Sequence, residues 1–466
     1  MAQLAVWLLV CAAVAWLLRD RVAYAAGAVI IVWSAVPAVG GHHLIGVSGS
    51  GIAFHPASWL VLAIFAIQLV LNPRTIGSAL ARHYLVMLAV MVFSIGALIT
   101  SRLTGSGGTR LLMDQIVGPF LLFWLVVADG YRRRSVLFVV RNAILLAMAA
   151  QSILAIVQLA LGRIILYESD YLTLPWFKPE TFVRWMGTAD SPLVLSLGVC
   201  VAGALAVGVR SAVLRFSLVG LFLIATIITQ SRTGAAVMSL IIVYAIIRSQ
   251  MALWARALAS VAVVGVGYYL AGSAIISGLA ARFNNDTGSA NARALAAQFV
   301  FDNIGQFLLT GQGLISSYTI ARNAGLETSL ESSYLMYVID TGLLLATLYF
   351  GTQLAIAIRY GVQRTARGVT LAALVGTVLQ HTFSAVAFAN FSGTLIWAAL
   401  GLVVVAWTIG DDPALLRPAL IEEPAPTARP VATPPRRAIR RPRGDSPTQS
   451  SEGAPAAASV ATSPES

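Results

Sequence analysis

The repetition of long apolar runs constrains this chain more than any other feature. Runs of roughly 15–25 residues recur from the start of the chain to residue 409, the length a helix needs to cross a hydrocarbon core of about 30 Å. In lipid, a backbone must satisfy its own hydrogen bonds, so each run must close as a helix or join a closed barrel. Barrel strands are short and alternate in polarity. These runs do not alternate, so the sequence predicts an all-α, polytopic transmembrane helical bundle of about 12–13 spans.

Composition agrees. Charged residues make up 11% of the chain, against about 25% in soluble domains. The spans are predicted at 3–18, 22–40, 57–71, 84–100, 110–128, 136–161, 191–209, 213–229, 234–248, 257–275, 333–358, 369–386 and 392–409. The first run lacks a basic leader, and Arg19 and Arg21 follow it, so it reads as a span rather than a signal peptide. Cys11 and Cys200 both lie in apolar runs and read as small buried hydrophobes.

The net charge is +12, carried almost wholly by arginine. Seven Arg and seven Asp or Glu follow residue 410 and cancel, so the excess lies in the membrane portion. Arginine-rich loops occur at Arg19/Arg21, Arg74/Arg82, Arg132–Arg134, Arg210/Arg215, Arg248/Arg256 and Arg359–Arg367. They are alternate loops, and positive residues favour the cytoplasm, so all six are expected inside. The intervening loops 41–56, 101–109, 162–190, 230–233, 276–332 and 387–391 are then outside. Thirteen spans put the N-terminus outside, and an even count puts both ends inside. No basic, aromatic soluble module exists to bind nucleic acid.

Residues 1–409 thus form a membrane domain, and 410–466 a cytoplasmic tail rich in Pro, Ala and Arg. The tail cannot bury a core and is expected to be disordered. Its run Arg436–Arg443 is either a solvated linker or a contact for anionic lipid.

A polar island, residues 276–342, interrupts the apolar pattern and carries Arg282, Arg293, Arg322, Glu327 and Glu331. A polar segment of this size must lie in water or fold onto the bundle. Arg293 sits in a helical pattern, SANARALAAQFVFDNI, and Glu331 opens the next span as LESSYLMYVIDTG. A partly desolvated carboxylate there can act as a base, or simply favour the helix dipole. The turn Ser231-Arg232-Thr233-Gly234 heads another span. A helix N-terminus beside an arginine suits a phosphate oxyanion, although a snorkelling interface arginine looks the same. Two or three guanidinium groups in one cavity would hold a diphosphate by forked hydrogen bonds.

The loop 162–190 holds Tyr167, Tyr171, Trp176, Phe177, Trp185 and the only lysine, Lys178. Aromatic faces bind sugars and also anchor proteins at membrane interfaces. Glu168-Ser169-Asp170 is too short a pattern to define a metal site, and no metal is expected. Asp114, Arg141, Asp340 and His381 fall inside spans, where ionisable groups are functional or paired for packing. They are left outside the catalytic set.

Taken together, the SRTG turn, the Arg-bearing loop with its Thr310–Gly313 TGQG segment, and the polar motif opening a span resemble the O-antigen ligase and O-antigen polymerase superfamily. The likeness covers residues 215–405. In the ligases the last motif reads His-[Asn/Ser/Gln]-x9-Gly, and here Glu331-Ser332 is followed after nine residues by Gly342, with Glu331 at the histidine position. The resemblance implies a GT-C-like glycosyltransferase using a polyprenyl-diphosphate-linked glycan on the outer face of the bacterial cytoplasmic membrane, with no metal, nucleotide or other cofactor. It implies Glu331 as base with Arg232 and Arg293 at the diphosphate. Arg282, Ser231, Ser332, Tyr334 and Trp176 would be substrate contacts. The partners implied are the lipid-linked donor, a glycan or lipid-glycan acceptor and membrane lipid. Polymerase and ligase both remain open. A transporter or flippase of a lipid-linked glycan is the rival class, but it would place its charges at the bilayer midplane rather than at one boundary.

Overall fold

The computed structural model describes residues 1–47, 52–174, 176–179, 184–249, 254, 287–326, 330–362 and 367–410. The predicted span 257–275, Arg282, Glu327 and the tail beyond 410 lie outside the described residues.

Every regular element among the described residues is helical. Among the described residues, five helices are long and apolar enough to cross a membrane, or six if one bent pair counts as a single span. They are α5 (Tyr84–Thr104), α6 (Thr109–Gly130), α7 (Ser135–Leu161), α14 (Leu343–Tyr360) and α16 (Ser392–Ile409). Shorter apolar helices accompany them: α1 (Ala2–Leu17), α2 (Val22–Ala35), α8 (Pro192–Ala206), α9 (Ala212–Ile228) and α15 (Arg367–Leu379). The bent pair is α3 (Pro56–Leu71) and α4 (Pro73–Arg82), which meet at 104°. Pro73 has no N–H to continue the ladder, so the helix turns there. The remaining helices of eight or more residues among those described are α10 (Arg232–Arg248), α11 (Thr287–Asp302), α12 (Ser316–Asn323) and α13 (Ser333–Thr341).

Two predicted spans are shorter than hydropathy suggested. The run 333–358 breaks at Gly342, which adopts φ +94° and separates α13 from α14. A side chain there would also press on the Leu309 carbonyl, at 2.9 Å. The run 369–386 ends its helix at Leu379 and continues as non-helical chain into α16.

Helices α6 and α16 form the centre, with 83% and 89% of their most apolar stretches buried, against 28% for α5 at the edge. With lipid as apolar as leucine, small residues and aromatic packing must hold such a pair together. Gly130 of α6 lies against Val405, and Gly401 of α16 against Val126. Phe120 and Phe123 pack edge-on to Trp397 at 5.2 and 5.3 Å, and the Trp397 indole donates to Tyr349 Oη at 3.1 Å. Around this centre, α2 packs on α7, α8 on α15, and α14 on α5. Exposed aliphatics such as Leu9, Val70, Leu103 and Val213 cover the outer helices, as lipid contact requires.

Candidate functional site at one end of the bundle

Loops gather in two groups at opposite ends of α5, α6 and α16. At one end, Arg82, Arg132, Arg134 and Arg359 line a cavity of about 740 Å³ with His83, Tyr131, Tyr360 and Trp407. At the other, five segments surround a cavity of about 350 Å³. They contribute Ala38 and Val39; Gly107, Gly108 and Arg110; Leu174, Trp176 and Asp190; Ile315 and Tyr318; and Ala387–Ala389. Three of the six arginine-rich loops thus contribute to the first cavity, and the intervening loops 101–109, 162–190, 276–332 and 387–391 to the second.

The second cavity is walled by segments tied down one at a time. α6 opens with a π-helical turn, Leu112–Val117, which aims consecutive polar residues at different neighbours. Asp114 accepts from the His55 backbone N–H at 2.9 Å and from Ser58 Oγ at 2.8 Å, and pairs with Arg110 Nε at 3.4 Å. Gln115 donates to the Asn390 carbonyl at 2.6 Å and accepts from Gly393 N–H at 3.1 Å. His55 stacks on Trp33 at 3.6 Å; it accepts from Ala57 N–H and donates to the Val36 carbonyl. Its burial holds the ring neutral, with a pKa lowered to about 3.

The TGQG segment runs along the end of α13. Gln312 and Gly313 donate backbone N–H groups to the Ile339 and Asp340 carbonyls at 2.9 and 2.8 Å. A Cβ at Gly311 would stand 2.2 Å from the Asp340 carbonyl, so only glycine fits. The Asp340 carboxylate then accepts from Ile315 N–H at 3.0 Å and Ser317 N–H at 2.7 Å, capping α12 from outside the helix. That cap holds Ile315 and Tyr318 in the cavity wall. Asp340 is therefore a positioning group.

Among the sequence-predicted site residues, Arg293 and Glu331 do meet across 38 positions. Arg293 Nε donates to Glu331 Oε2 at 3.0 Å, and Nη2 contacts the same oxygen. The pair is 43% and 31% exposed, open to solvent. Ser332 caps α13, Ser333 Oγ donates to the Phe383 carbonyl at 2.9 Å, and Val386 N–H donates back at 3.2 Å. This fastens the Glu331 end of α13 beside the Ala387–Ala389 wall. Tyr334 Oη bonds Thr347 Oγ1 at 2.9 Å, and its ring lies 6.0 Å from His381. Trp176 lines the cavity with 45% of its surface exposed.

Ser231 and Arg232 stand at the start of α10. Ser231 caps α10 by accepting from Gly234 N–H at 3.2 Å, and α10 packs on α8 and α9. Arg184 Nε donates to the Thr229 carbonyl at 2.9 Å, which ties this turn to the 162–190 loop. Arg141 turns to Asn142 and the Gly208 carbonyl rather than to Asp114.

Two residues that the sequence reading passed over are central. Arg110 reaches across the cavity mouth and donates to the Ala38 carbonyl at 2.8 Å. Asp190 accepts from Ala38 N–H at 2.7 Å. Burial raises the Asp190 pKa to about 7; backbone N–H groups of Ala38 and Val39, and the Arg110 charge, partly oppose it. The available signals were Arg110 four residues before Asp114, and an acid placed before Ser-Pro at a helix start. The three non-glycine residues with positive φ among those described are Tyr167, Gln230 and Ile315, all on loops of this end. Such backbone costs roughly 1–3 kcal/mol each and persists only where its surroundings hold it.

No family model, no curated protein and no solved structure matches the chain.

The cavity thus offers a cation, a carboxyl group that titrates near neutrality and an exposed indole. An ion pair open to solvent stands on the element that braces its wall. This set can hold an anion, stack a sugar ring and accept a proton.

Proposed function

We propose that the chain is a membrane glycosyltransferase that polymerises or ligates a polyprenyl-diphosphate-linked glycan on the outer face of the cytoplasmic membrane. The observation that carries this reading is the convergence of five loop segments on one cavity presenting Arg110, Asp190 and Trp176. A diphosphate leaving group gains charge as its bond to the sugar breaks, and preorganised guanidinium groups stabilise that charge. In this reading Arg293 turns from Glu331 to the incoming diphosphate and so releases the carboxylate. Glu331 then takes the proton of the acceptor hydroxyl as its oxygen attacks the anomeric carbon. The lipid diphosphate leaves from the opposite face, with inversion. Arg232 and Arg282 would assist at the diphosphate, and Trp176 would stack a sugar.

A second assignment keeps the reaction and moves the base to Asp190. It is favoured by the position of Asp190 in the cavity wall and by its pKa of about 7. A base poised near the working pH is the efficient one.

The test is the length distribution of carrier-linked and surface glycan after deletion of the gene. Rescue is attempted with wild type, Glu331→Gln and Asp190→Asn. Single repeat units in the deletion strain mark a polymerase, and long chains stranded on the carrier mark a ligase. Failure of one variant alone to rescue identifies the base. Donor trapped on the cytoplasmic leaflet would instead favour a flippase, and an unchanged glycan profile would end the glycan reading.

A further inference from the structure

Beside the cavity, the short helical turn His42–Ile45 faces another, Glu168–Tyr171. His43 Nε2 lies 2.9 Å from Asp170 Oδ2, and His42 Nε2 lies 3.5 Å from Asp170 Oδ1. One ligand atom from each of the three side chains falls within 4.8 Å of the others. Consecutive residues on a helix normally diverge by about 100°, yet these two imidazole centroids are 4.1 Å apart. The surrounding backbone brings them together. Gly40 leaves room for the Tyr167 ring, and Tyr167 itself sits at φ +59° to open the turn that carries Asp170.

The hydrogen-bonding logic of His42 points to a cation. Its Nδ1 lies 2.9 Å from the Val39 carbonyl, which can only accept, so Nδ1 must carry the proton. In the neutral ring Nε2 is then a bare lone pair, and it faces a carboxylate oxygen. Two lone pairs face one another stably only with a proton or a metal ion between them, and three such ligand atoms gathered within 4.8 Å suit a metal ion. An imidazole whose far nitrogen is held by a backbone carbonyl is also the usual arrangement of a metal-binding histidine. The carboxylate is 10% exposed, whereas His42 and His43 are 41% and 54% exposed, so an ion could enter from solvent.

We propose that His42 Nε2, His43 Nε2 and Asp170 form a binding site for a divalent transition metal of the zinc type. Two imidazoles and one carboxylate suit zinc and disfavour calcium or magnesium, which take oxygen ligands. Zinc needs bonds of roughly 2.0–2.2 Å, so the three side chains close by small rotations. His43 shifts its proton from Nε2 to Nδ1 as the metal binds. A fourth position stays open to water. The ion would clamp the segment after α2 to the 162–190 loop. Both border the cavity, through Val39 and through Leu174 and Trp176. The role is structural, separate from sugar transfer, and does not depend on the glycan reading.

The test uses the full chain in detergent, purified through a tag without histidine, stripped with EDTA and dialysed. Zinc is then titrated by calorimetry, with magnesium and calcium as controls. One equivalent of zinc should bind. His43→Ala and Asp170→Asn should each weaken binding by roughly tenfold or more. Cobalt, substituted for zinc in the wild type, should give the visible absorption of a low-coordinate nitrogen and oxygen site, a readout that needs no variant. Gel filtration checks that each variant is folded, and His43→Gln replaces His43→Ala if that protein aggregates. Absence of zinc binding in the wild type would overturn the proposal. Unchanged affinity in both variants would overturn it equally.

Discussion

Replacing Asp340 by Ala should loosen one wall of the cavity without dismantling the bundle. The carboxylate takes the N–H groups of Ile315 and Ser317 at 3.0 and 2.7 Å, and Ser317 is fully buried. Alanine leaves both donors without a partner, at about 1–3 kcal/mol each. The docked state of α12 should therefore lose about 2–6 kcal/mol relative to an open state in which water satisfies both groups. At about 1.4 kcal/mol per decade, local opening becomes at least roughly 30-fold more frequent. The assay is amide hydrogen exchange, followed by mass spectrometry on peptides covering 310–323 in detergent. Exchange there should accelerate by that factor, while peptides from α6 and α16 stay as protected as in wild type. Asp340→Asn keeps one acceptor and should fall between the two. Exchange at 310–323 unchanged in Asp340→Ala would refute the capping argument, and uniform acceleration across the chain would show Asp340 to be a general core residue.

Gly311→Ala should release the same segment from the other side, because its Cβ would stand 2.2 Å from the Asp340 carbonyl; loss of protection at Gln312 and Gly313 checks it. If Asp190 is the base, activity requires its ionised form, so the rate should fall about tenfold per pH unit below 7 and level off above it. Arg110 favours the ionised form, so Arg110→Gln should move that acid limb to higher pH; a limb that stays in place refutes the coupling. Trp176→Ala should raise KM for the glycan by roughly fivefold with little change in kcat, as expected for a lost stacking face worth about 1 kcal/mol; a fall confined to kcat would refute a binding role.

Much of the helical frame was legible in the sequence because a membrane leaves few choices. The run 392–409 became a helix over those same residues, and 136–161 became Ser135–Leu161. Three of the arginine loops line one cavity, and intervening loops line the other. Hydropathy failed wherever an apolar run changed direction. Gly342 looks like any small residue in a span until its carbonyl neighbours and positive φ are known. The predicted span 57–71 matches α3, but α4, which follows it at 104°, falls in a segment expected as a loop. At the site, the polar island drew attention to Arg293 and Glu331, which meet. Arg110 and Asp190 were missed because a lone charge at a helix start reads as a cap. Only the fold brings five distant segments round them.

The bonding pattern at the cavity end supports the proposed catalytic role over a transport role. Its loops are held by buried side chains that reach into backbone. Asp190 holds Ala38, Asp114 holds His55, and Gln115 holds Asn390 and Gly393. Gln151 and Thr188 both donate to the Ser34 carbonyl, while Gln158 holds Gly187 by two bonds. A transporter must let one half of its bundle rock against the other around the substrate. These bonds cross between α2, α6, α7, the 162–190 loop and α16, so rocking would break several buried ones at once. Leaving even one partner buried and unpaired costs about 1–3 kcal/mol. Catalysis makes the opposite demand, for groups held in place before substrate arrives. A rigid rim around Arg110, Asp190 and Trp176 meets that demand. The exposed Arg293–Glu331 pair remains as the element that can rearrange when an anion competes for the arginine.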